Sequence, residues 1–296
     1  MNASASPATR FVSGIAALIP DYDGFILDQW GVLHDGVKPY PGAIDCLRQL
    51  RAAGKQVVIL SNSGKRNDHN IRLMAQLGFD PALYERFIGA GDDARSAIVE
   101  RRSDFHRRLG SRCYPFTRDG DHSLLDGIGL TFAASVDEAD FLAAIGIDSP
   151  RRNVVDYEAE LRAGIARGLP LVCANPDLVR VSPDGTVEAP GMLARRYEAL
   201  GGRVVRHGKP FPEIYGSCLE CLRACKPERV IAVGDSIEHD ILGARGAGLT
   251  SAFVVGGIHA DELVQCWGDQ PSNEAWARFI AEAEARPDFV MPAFVW

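Results

Sequence analysis

The stretch Gly24-Phe25-Ile26-Leu27-Asp28-Gln29-Trp30-Gly31-Val32-Leu33-His34-Asp35-Gly36, GFILDQWGVLHDG, decides how the chain is read. A short apolar run ends on a carboxylate and then breaks at a glycine, the pattern of a buried strand that delivers Asp28 onto a turn. An α/β enzyme presents a nucleophile in this way, at the carboxyl end of a strand. Two residues on, where a second acid would serve as proton donor, stands Trp30.

Apolar runs and helical patterns alternate outward from this point. PGAIDCLRQLRAAG predicts a helix, with Pro41 near its start and Gly54 after its end. QVVILSNS predicts the next strand and DHNIRLMAQLGF the next helix. Late in the chain the pattern returns: RVIAVGDS as a strand, EHDILGARGAGL as a helix, TSAFVVGG as a strand. Such alternation predicts βαβ units and a parallel sheet, the Rossmann-like form of an α/β protein. Between these halves, PLVCANPD reads as a strand and NVVDYEAELRAGIARG as an amphipathic helix, with a turn at Ser182-Pro183-Asp184-Gly185. The spacing therefore predicts a first core segment over 1–91, an inserted α/β module over 92–190 and a second core segment over 191–296.

Bulk properties exclude several functions. The 296 residues are 46% hydrophobic and 24% charged, a folded globular composition long enough for a large core. A net charge of −7 disfavours nucleic acid or an anionic membrane as partner. The apolar stretch Phe11–Ile19, broken by Gly14 and followed by Pro20, is too short to span a bilayer and weak as a secretory signal. It predicts an N-terminal amphipathic helix, and the chain reads as soluble and cytoplasmic. Seven scattered cysteines do not form a disulfide framework. Cys218, Cys221 and Cys225 are spaced for one helix face, and without a fourth ligand at zinc spacing they read as core.

Four elements at strand ends or turns carry chemistry. Asp28 ends the first strand, Ser61 and Asn62 end the second, Lys209 lies in HGKPFPEIY before a helix, and Asp235 and Asp240 lie in VGDSIEHDILGA. An aspartate can attack phosphorus and hold it as an acyl phosphate. Asp28 and Asp235 suit Mg²⁺, a hard cation that takes few carboxylates. A hydroxyl, an amide and an ammonium would stabilise phosphoryl oxygens, and the helix after Ser61 would aim N–H groups at an anion. A competing motif, Gly89-Ala90-Gly91-Asp92-Asp93-Ala94, fits a loose dinucleotide fingerprint. Its two acids would repel a pyrophosphate, so it reads as the exit from the core into the inserted module.

With LDQWGVL, LSNSG, HGKPFPEIY and VGDSIEHDILGA in this order, the chain resembles the haloacid dehalogenase (HAD) superfamily, in its NagD-like class IIA branch. The resemblance covers nearly the whole chain and makes the inserted module, with CANPD near its end, a class II cap. It implies Asp28 as nucleophile, Ser61 as a phosphoryl contact and Lys209 as the bridge between nucleophile and phosphate. It also implies Mg²⁺ held by Asp28, the Trp30 backbone carbonyl and Asp235, with Asp240 in support. Asn175 and Asp177 would lie near the substrate pocket of the cap. The implied activity is hydrolysis of a small phosphorylated metabolite, a sugar phosphate or nucleotide-like monoester.

The departure from the family is at Trp30, where its phosphatases carry a second aspartate for general acid–base catalysis. That catalysis is typically worth about 10²–10⁴-fold. Three consequences follow. Another group supplies the proton, from His34 and Asp35 close in sequence or Glu238 and His239 in the last motif, His34 also reading as a loop histidine with a local hydrogen bond; or the leaving group is good enough to need none; or the protein binds a phosphometabolite with little turnover. The retained Asp235 and Asp240 argue against a dehalogenase. Trp30 itself reads as a packing residue beside the site, ahead of a substrate-stacking role.

Overall fold

A computed structural model describes residues 9–182 and 185–296. The turn predicted at Ser182-Pro183-Asp184-Gly185 falls partly outside the described residues. Contacts divide the chain into two compact units, the first made of 1–61, 71–88 and 209–296, the second of 62–70 and 89–208.

The first unit is built on a seven-stranded sheet. Its strands are β1 (Arg10–Phe11), β2 (Gly24–Asp28), β3 (Gln56–Ser61), β4 (Arg86–Gly89), β12 (Val230–Gly234), β13 (Thr250–Val254) and β14 (Phe289–Met291), in the spatial order β1-β14-β13-β12-β2-β3-β4. The second unit contributes β5 (Arg112–Phe116), β6 (Thr131–Phe132), β7 (Phe141–Ala144), β8 (Pro170–Cys173), β9 (Val179–Ser182), β10 (Gly185–Glu188) and β11 (Arg203–Arg206).

β2 pairs in parallel with β12 on one side and β3 on the other, so it is central and buried throughout. Its side chains alternate between two cores, as the two-residue period of a strand requires. Phe25 and Leu27 join Val57, Ile59, Ile231 and Val233 on one face. Ile26 joins Val58, Leu60 and Ala232 on the other, packed on Ile214, Tyr215 and Cys218 of the helix Pro212–Cys221. Each such fully buried apolar side chain contributes about 1.5–3 kcal/mol. Burial on both faces is why the strand reads as a continuous apolar run.

In the second unit the parallel sheet has the order β11-β8-β7-β5-β6, and β9 and β10 form a separate antiparallel hairpin. Leu142, Leu171 and Tyr197 share one of its cores, and the Tyr197 hydroxyl donates to the Leu169 carbonyl at 2.7 Å. The sequence reading ends the insert at 190. The helix Gly191–Ala199 packs into this core through Leu193 and Tyr197, and β11 pairs with β8, so both belong to the second unit. The contact boundaries fall at 88/89 and 208/209, and the segment 62–70 joins this unit as well.

Three local expectations are corrected. The N-terminal apolar stretch is not an amphipathic helix: Arg10–Phe11 pairs with Phe289–Val290, and only Ile15–Leu18 makes a single 3₁₀ turn. Gly14 accounts for this, because it is fully extended and a Cβ there would meet the Val295 carbonyl. The helix carrying Cys218 and Cys221 ends at Cys221, so Cys225 lies beyond it and donates to Gln56 Oε1 at 3.2 Å. The late acidic helix opens with a π turn, Ile237–Ile241, before the α-helix Leu242–Gly246.

A buried polar chain lies inside the second unit. Asp93 accepts from His207 Nδ1 at 2.6 Å and from Arg102 at 2.5 Å. His207 Nε2 meets His106 Nε2 at 3.2 Å, and His106 Nδ1 meets Ser103 Oγ at 2.7 Å. Burial, reinforced by the charges of His207 and Arg102, pulls His106 down to about 4. Asp92 beside it bonds Arg66 and the backbone N–H of Asn67. The two acids of the dinucleotide-like motif are thus taken up within this unit.

Candidate active site

Four charged groups converge at the carboxyl end of the central strands. Asp28 is the last residue of β2, and Asp235 follows β12, which lies beside it. Lys209 donates to Oδ1 of Asp28 and, at 2.7 Å, to Oδ1 of Asp240. The π turn brings Asp240 back against the strand end, where its Oδ2 accepts from the Ser236 N–H at 3.1 Å. A Cβ on Gly234 would overlap Asp240, so this close return requires glycine. Ser61, at the end of β3, is buried one residue beyond the Leu60 that pairs with Asp28.

All four charged side chains are buried. Burial pushes Asp28 up to about 7, with Asp240 adding to the rise and Lys209 opposing it. Asp235 is raised well above the usual carboxylate range by burial and by the charges of Asp28 and Asp240. Burial works against the Lys209 ammonium, but Asp240 and Asp28 outweigh it and hold the lysine charged. Three carboxylates around one ammonium leave a surplus of negative charge when ionised.

That surplus suits a divalent cation. Oxygens of Asp28, Asp235 and Asp240 lie within 4.8 Å of one another, and carboxylate oxygens are the donors a hard cation prefers. Asp235 Oδ2 accepts from the Ile258 N–H at 2.7 Å, which leaves Oδ1 for a cation. Two glycines enclose this carboxylate: a Cβ on either Gly31 or Gly257 would overlap it. Gly31 also has φ +81°, a conformation that L side chains rarely adopt. The Trp30–Gly31 backbone therefore lies directly on Asp235. The single glycine after Trp30 and the Gly-Gly pair after β13 were the legible signals of this approach; the sequence alone gave Gly31 only a turn and the pair no role.

The turn after Asp28 does not present the expected proton donor. His34 is 0% exposed. Its Nδ1 accepts the Gly36 N–H at 2.9 Å, which puts the proton of a neutral ring on Nε2. That nitrogen lies 3.0 Å from the Gln29 side-chain amide, whose Oε1 is buried without a partner as placed. Turning the amide over lets Oε1 accept from Nε2–H, which gives that contact one donor and one acceptor. Burial pulls His34 down to about 4. With both nitrogens engaged and the ring buried, His34 sits as a loop histidine with local hydrogen bonds and is not placed to donate a proton. Asp35 is engaged too, its Oδ1 accepting from Val37 and Lys38 N–H groups at 2.9 and 2.8 Å. Glu238 is exposed and accepts from Ser236 Oγ at 3.2 Å. His239 Nδ1 meets the same hydroxyl at 3.2 Å.

Trp30 packs only in part, with 43% of it exposed. Its indole covers Gly36 (φ +90°), where a Cβ would overlap the ring, and meets His34 edge-on at 5.2 Å between centroids.

Asn62, Asn175 and Asp177 fall together within the second unit. Asn62 Nδ2 donates to Asp177 Oδ1 at 2.7 Å, and the Asp177 N–H donates to Asn175 Oδ1 at 2.9 Å. The helix after Ser61 begins only at Asn67, whose N–H is taken by Asp92. Of the N–H groups expected to face an anion, that of Asn67 is therefore engaged by Asp92.

Family models described as haloacid dehalogenase-like hydrolase match residues 25–131 and 97–248, the second spanning more than half of the chain. The chain belongs to the haloacid dehalogenase-like hydrolase family. Within this family it is 28% identical to the ribonucleotide monophosphatase NagD of Escherichia coli over 265 residues, covering 87% of this chain and 94% of NagD. That likeness places it in the NagD-like, class IIA branch. A haloacid dehalogenase-like hydrolase from Brucella suis superposes with TM-score 0.80 at 26% identity, over 96% of this chain and 100% of that one. A glycerol phosphate phosphatase from Mycobacterium tuberculosis, solved with magnesium, has the same fold at TM-score 0.67 and 22% identity, over 93% of this chain and 76% of that one. Among the described residues, no helix of this HAD protein is long and apolar enough to cross a membrane.

Proposed function

We propose that this protein hydrolyses small phosphate monoesters through phosphorylation of Asp28. The observation that carries the reading is the buried cluster in which Lys209 bonds both Asp28 and Asp240, with Asp235 beside them. A carboxylate oxygen of Asp28 attacks phosphorus, a phosphorus–oxygen bond forms, and the bond to the ester oxygen breaks. Lys209, with the Ser61 hydroxyl and Asn62 amide as further contacts, stabilises charge on the phosphoryl oxygens. Water then attacks the aspartyl phosphate, releasing inorganic phosphate and restoring Asp28. Asn175 and Asp177 are the proposed contacts of the cap with substrate, and the division 1–91, 92–190 and 191–296 is refined to the two units given above.

Asp28, Asp235 and the Trp30 carbonyl, with Asp240 in support, would hold Mg²⁺, which supplies charge neutralisation between nucleophile and phosphoryl group. The donor chemistry of the cluster and the magnesium found with the M. tuberculosis relative support this choice. The partner is then a small phosphorylated metabolite.

A second reading has its own support in the committed His34 ring and the exposed Trp30. A site with no proton donor for a poor leaving group would bind phosphometabolites and turn most of them over slowly or not at all. An assay with Mg²⁺ over a panel of alkyl, acyl and aryl phosphates separates the two. Turnover above an Asp28→Asn control on any member supports the enzyme; none on every member, with saturable binding of a panel member measured by calorimetry, supports the binder.

A further inference from the structure

A buried tyrosine that the proposed chemistry does not use joins two parts of the site. Tyr215 lies on the helix Pro212–Cys221, which begins shortly after Lys209. Its ring shares the core of Ile26, Val58, Leu60 and Ala232 beside the central strands. A phenylalanine would fill that apolar space as well, so the hydroxyl needs a reason of its own. It lies 3.2 Å from the Asp240 carbonyl and 3.3 Å from the His239 carbonyl, one proton shared between two acceptors.

Those carbonyls belong to the π turn Ile237–Ile241. In that turn the Ser236 carbonyl accepts from the Asp240 N–H at 3.0 Å and from the Ile241 N–H at 3.2 Å. The π form is rare and appears mostly as single turns, frequently at functional sites. Here it brings the Asp240 carboxylate round, so that Oδ2 takes the Ser236 N–H and Oδ1 takes Lys209. Gly243, in the α-helix Leu242–Gly246 that follows, lets the tyrosine in: a Cβ there would meet the hydroxyl oxygen at 2.5 Å. Glycine weakens a helix, so its presence at this point of contact marks the approach as built.

Resting on the phosphohydrolase reading, we infer that Tyr215 is a positioning residue: its hydroxyl anchors the π turn so that Asp240 holds Lys209 against Asp28 and stays beside the proposed cation site. Lys209 and Asp240 come from different elements. The hydroxyl ties the helix that follows the first to the turn that carries the second. Tyr215 acts through Asp240 and has no part in bond making or breaking.

Calorimetric titration of Mg²⁺ into the full chain tests this without turnover. Tyr215→Phe removes the hydroxyl and keeps the ring. Its dissociation constant for Mg²⁺ should rise by about two- to tenfold, the range that one hydrogen bond spans. Tyr197→Phe is the control, because its hydroxyl bonds the Leu169 carbonyl within the second unit. Both variants should lose similar stability to urea, and only Tyr215→Phe should weaken Mg²⁺ binding. Gly243→Ala presses on the hydroxyl from the helix side and serves, with the same expectation, if Tyr215→Phe does not fold. Mg²⁺ binding unchanged in Tyr215→Phe, or weakened as much in Tyr197→Phe, overturns the inference. If wild type binds no Mg²⁺, the cation site fails instead, and hydrogen exchange decides the role of the hydroxyl. Faster exchange of the Ser236 N–H, the amide that bonds the Asp240 carboxylate, in Tyr215→Phe alone sustains it; equal rates in both variants end it. No hydrolysis of any ester, with Mg²⁺ binding weakened as expected, removes the reaction and leaves the positioning of Asp240 in place.

Discussion

Replacing Gly31 with alanine adds one methyl group where the Trp30–Gly31 backbone rests on the Asp235 carboxylate. Two costs follow. Gly31 has φ +81°, and an L residue in that left-handed region pays about 1–2 kcal/mol. The new Cβ would also overlap Asp235 Oδ2, and Gly257 closes the other side, so the carboxylate has no room to give. Moving it breaks the 2.7 Å bond from Ile258 N–H, and such a hydrogen bond is worth about 0.5–1.5 kcal/mol. The combined loss is about 1.5–3.5 kcal/mol. Gly54 supplies the control, since it has φ +71° with nothing within 4 Å of a built Cβ. Gly54→Ala should therefore lose only the backbone cost of about 1–2 kcal/mol. Urea unfolding of both variants beside wild type, with and without Mg²⁺, reads the difference. Gly31→Ala should also need more Mg²⁺ for the same stabilisation, because the displaced carboxylate is a proposed ligand. Equal stability losses for the two variants, with an unchanged Mg²⁺ midpoint, would refute the claim that Asp235 is held by backbone approach.

Two further outcomes concern pH. Asp28 titrates near 7 when folded and near 3.8 when unfolded, so without cation its contribution to stability is present at acid pH and lost as pH rises from about 4 to about 7. A cation that favours the ionised carboxylates reverses that loss, so the gap in unfolding midpoint between Mg²⁺-loaded and Mg²⁺-free protein should widen from pH 5 to pH 8; a constant gap would count against the site. His106 titrates near 4 when folded against 6.5 unfolded, so the unfolded chain takes up the proton first and stability falls as pH drops from 6.5 to 4. The slope due to this one group is at most about 1.4 kcal/mol per pH unit, and His106→Gln should remove it from denaturant titrations over that range. An unaltered slope would show that the buried histidine chain does not hold His106 neutral.

Much of the fold was legible because its signals are local. The run Phe25–Leu27 ending on Asp28 fixed a buried strand, since a strand covered on both faces is apolar at every position. Pro41 and Gly54 marked the bounds of a helix observed at Ala43–Ala52, and the strand and turn around Asp235 could be placed by the same reasoning. The order of these elements was enough to gather Asp28, Lys209, Asp235 and Asp240 as candidates for one site.

Tertiary structure decided the rest, because the partners involved are remote in sequence. Lys209 finds Asp28 across 181 positions, and only the sheet order brings them within a hydrogen bond. Arg10–Phe11 became a strand rather than part of a helix because Phe289–Val290 offers it an edge, which no periodicity near residue 10 could reveal. The segment after 190 went to the second unit because β11 pairs with β8. His34 looked like a proton donor by position, yet burial and its bonds to Gln29 and Gly36 commit both ring nitrogens. Trp30 looked like packing by residue type, and the turn lays it on Gly36 and His34 while leaving 43% of it exposed. By itself the sequence marked out the candidate groups for the proposed chemistry, through residue identity and strand order. Their protonation, exposure and partners were left to the fold, because those depend on what each side chain meets across the chain.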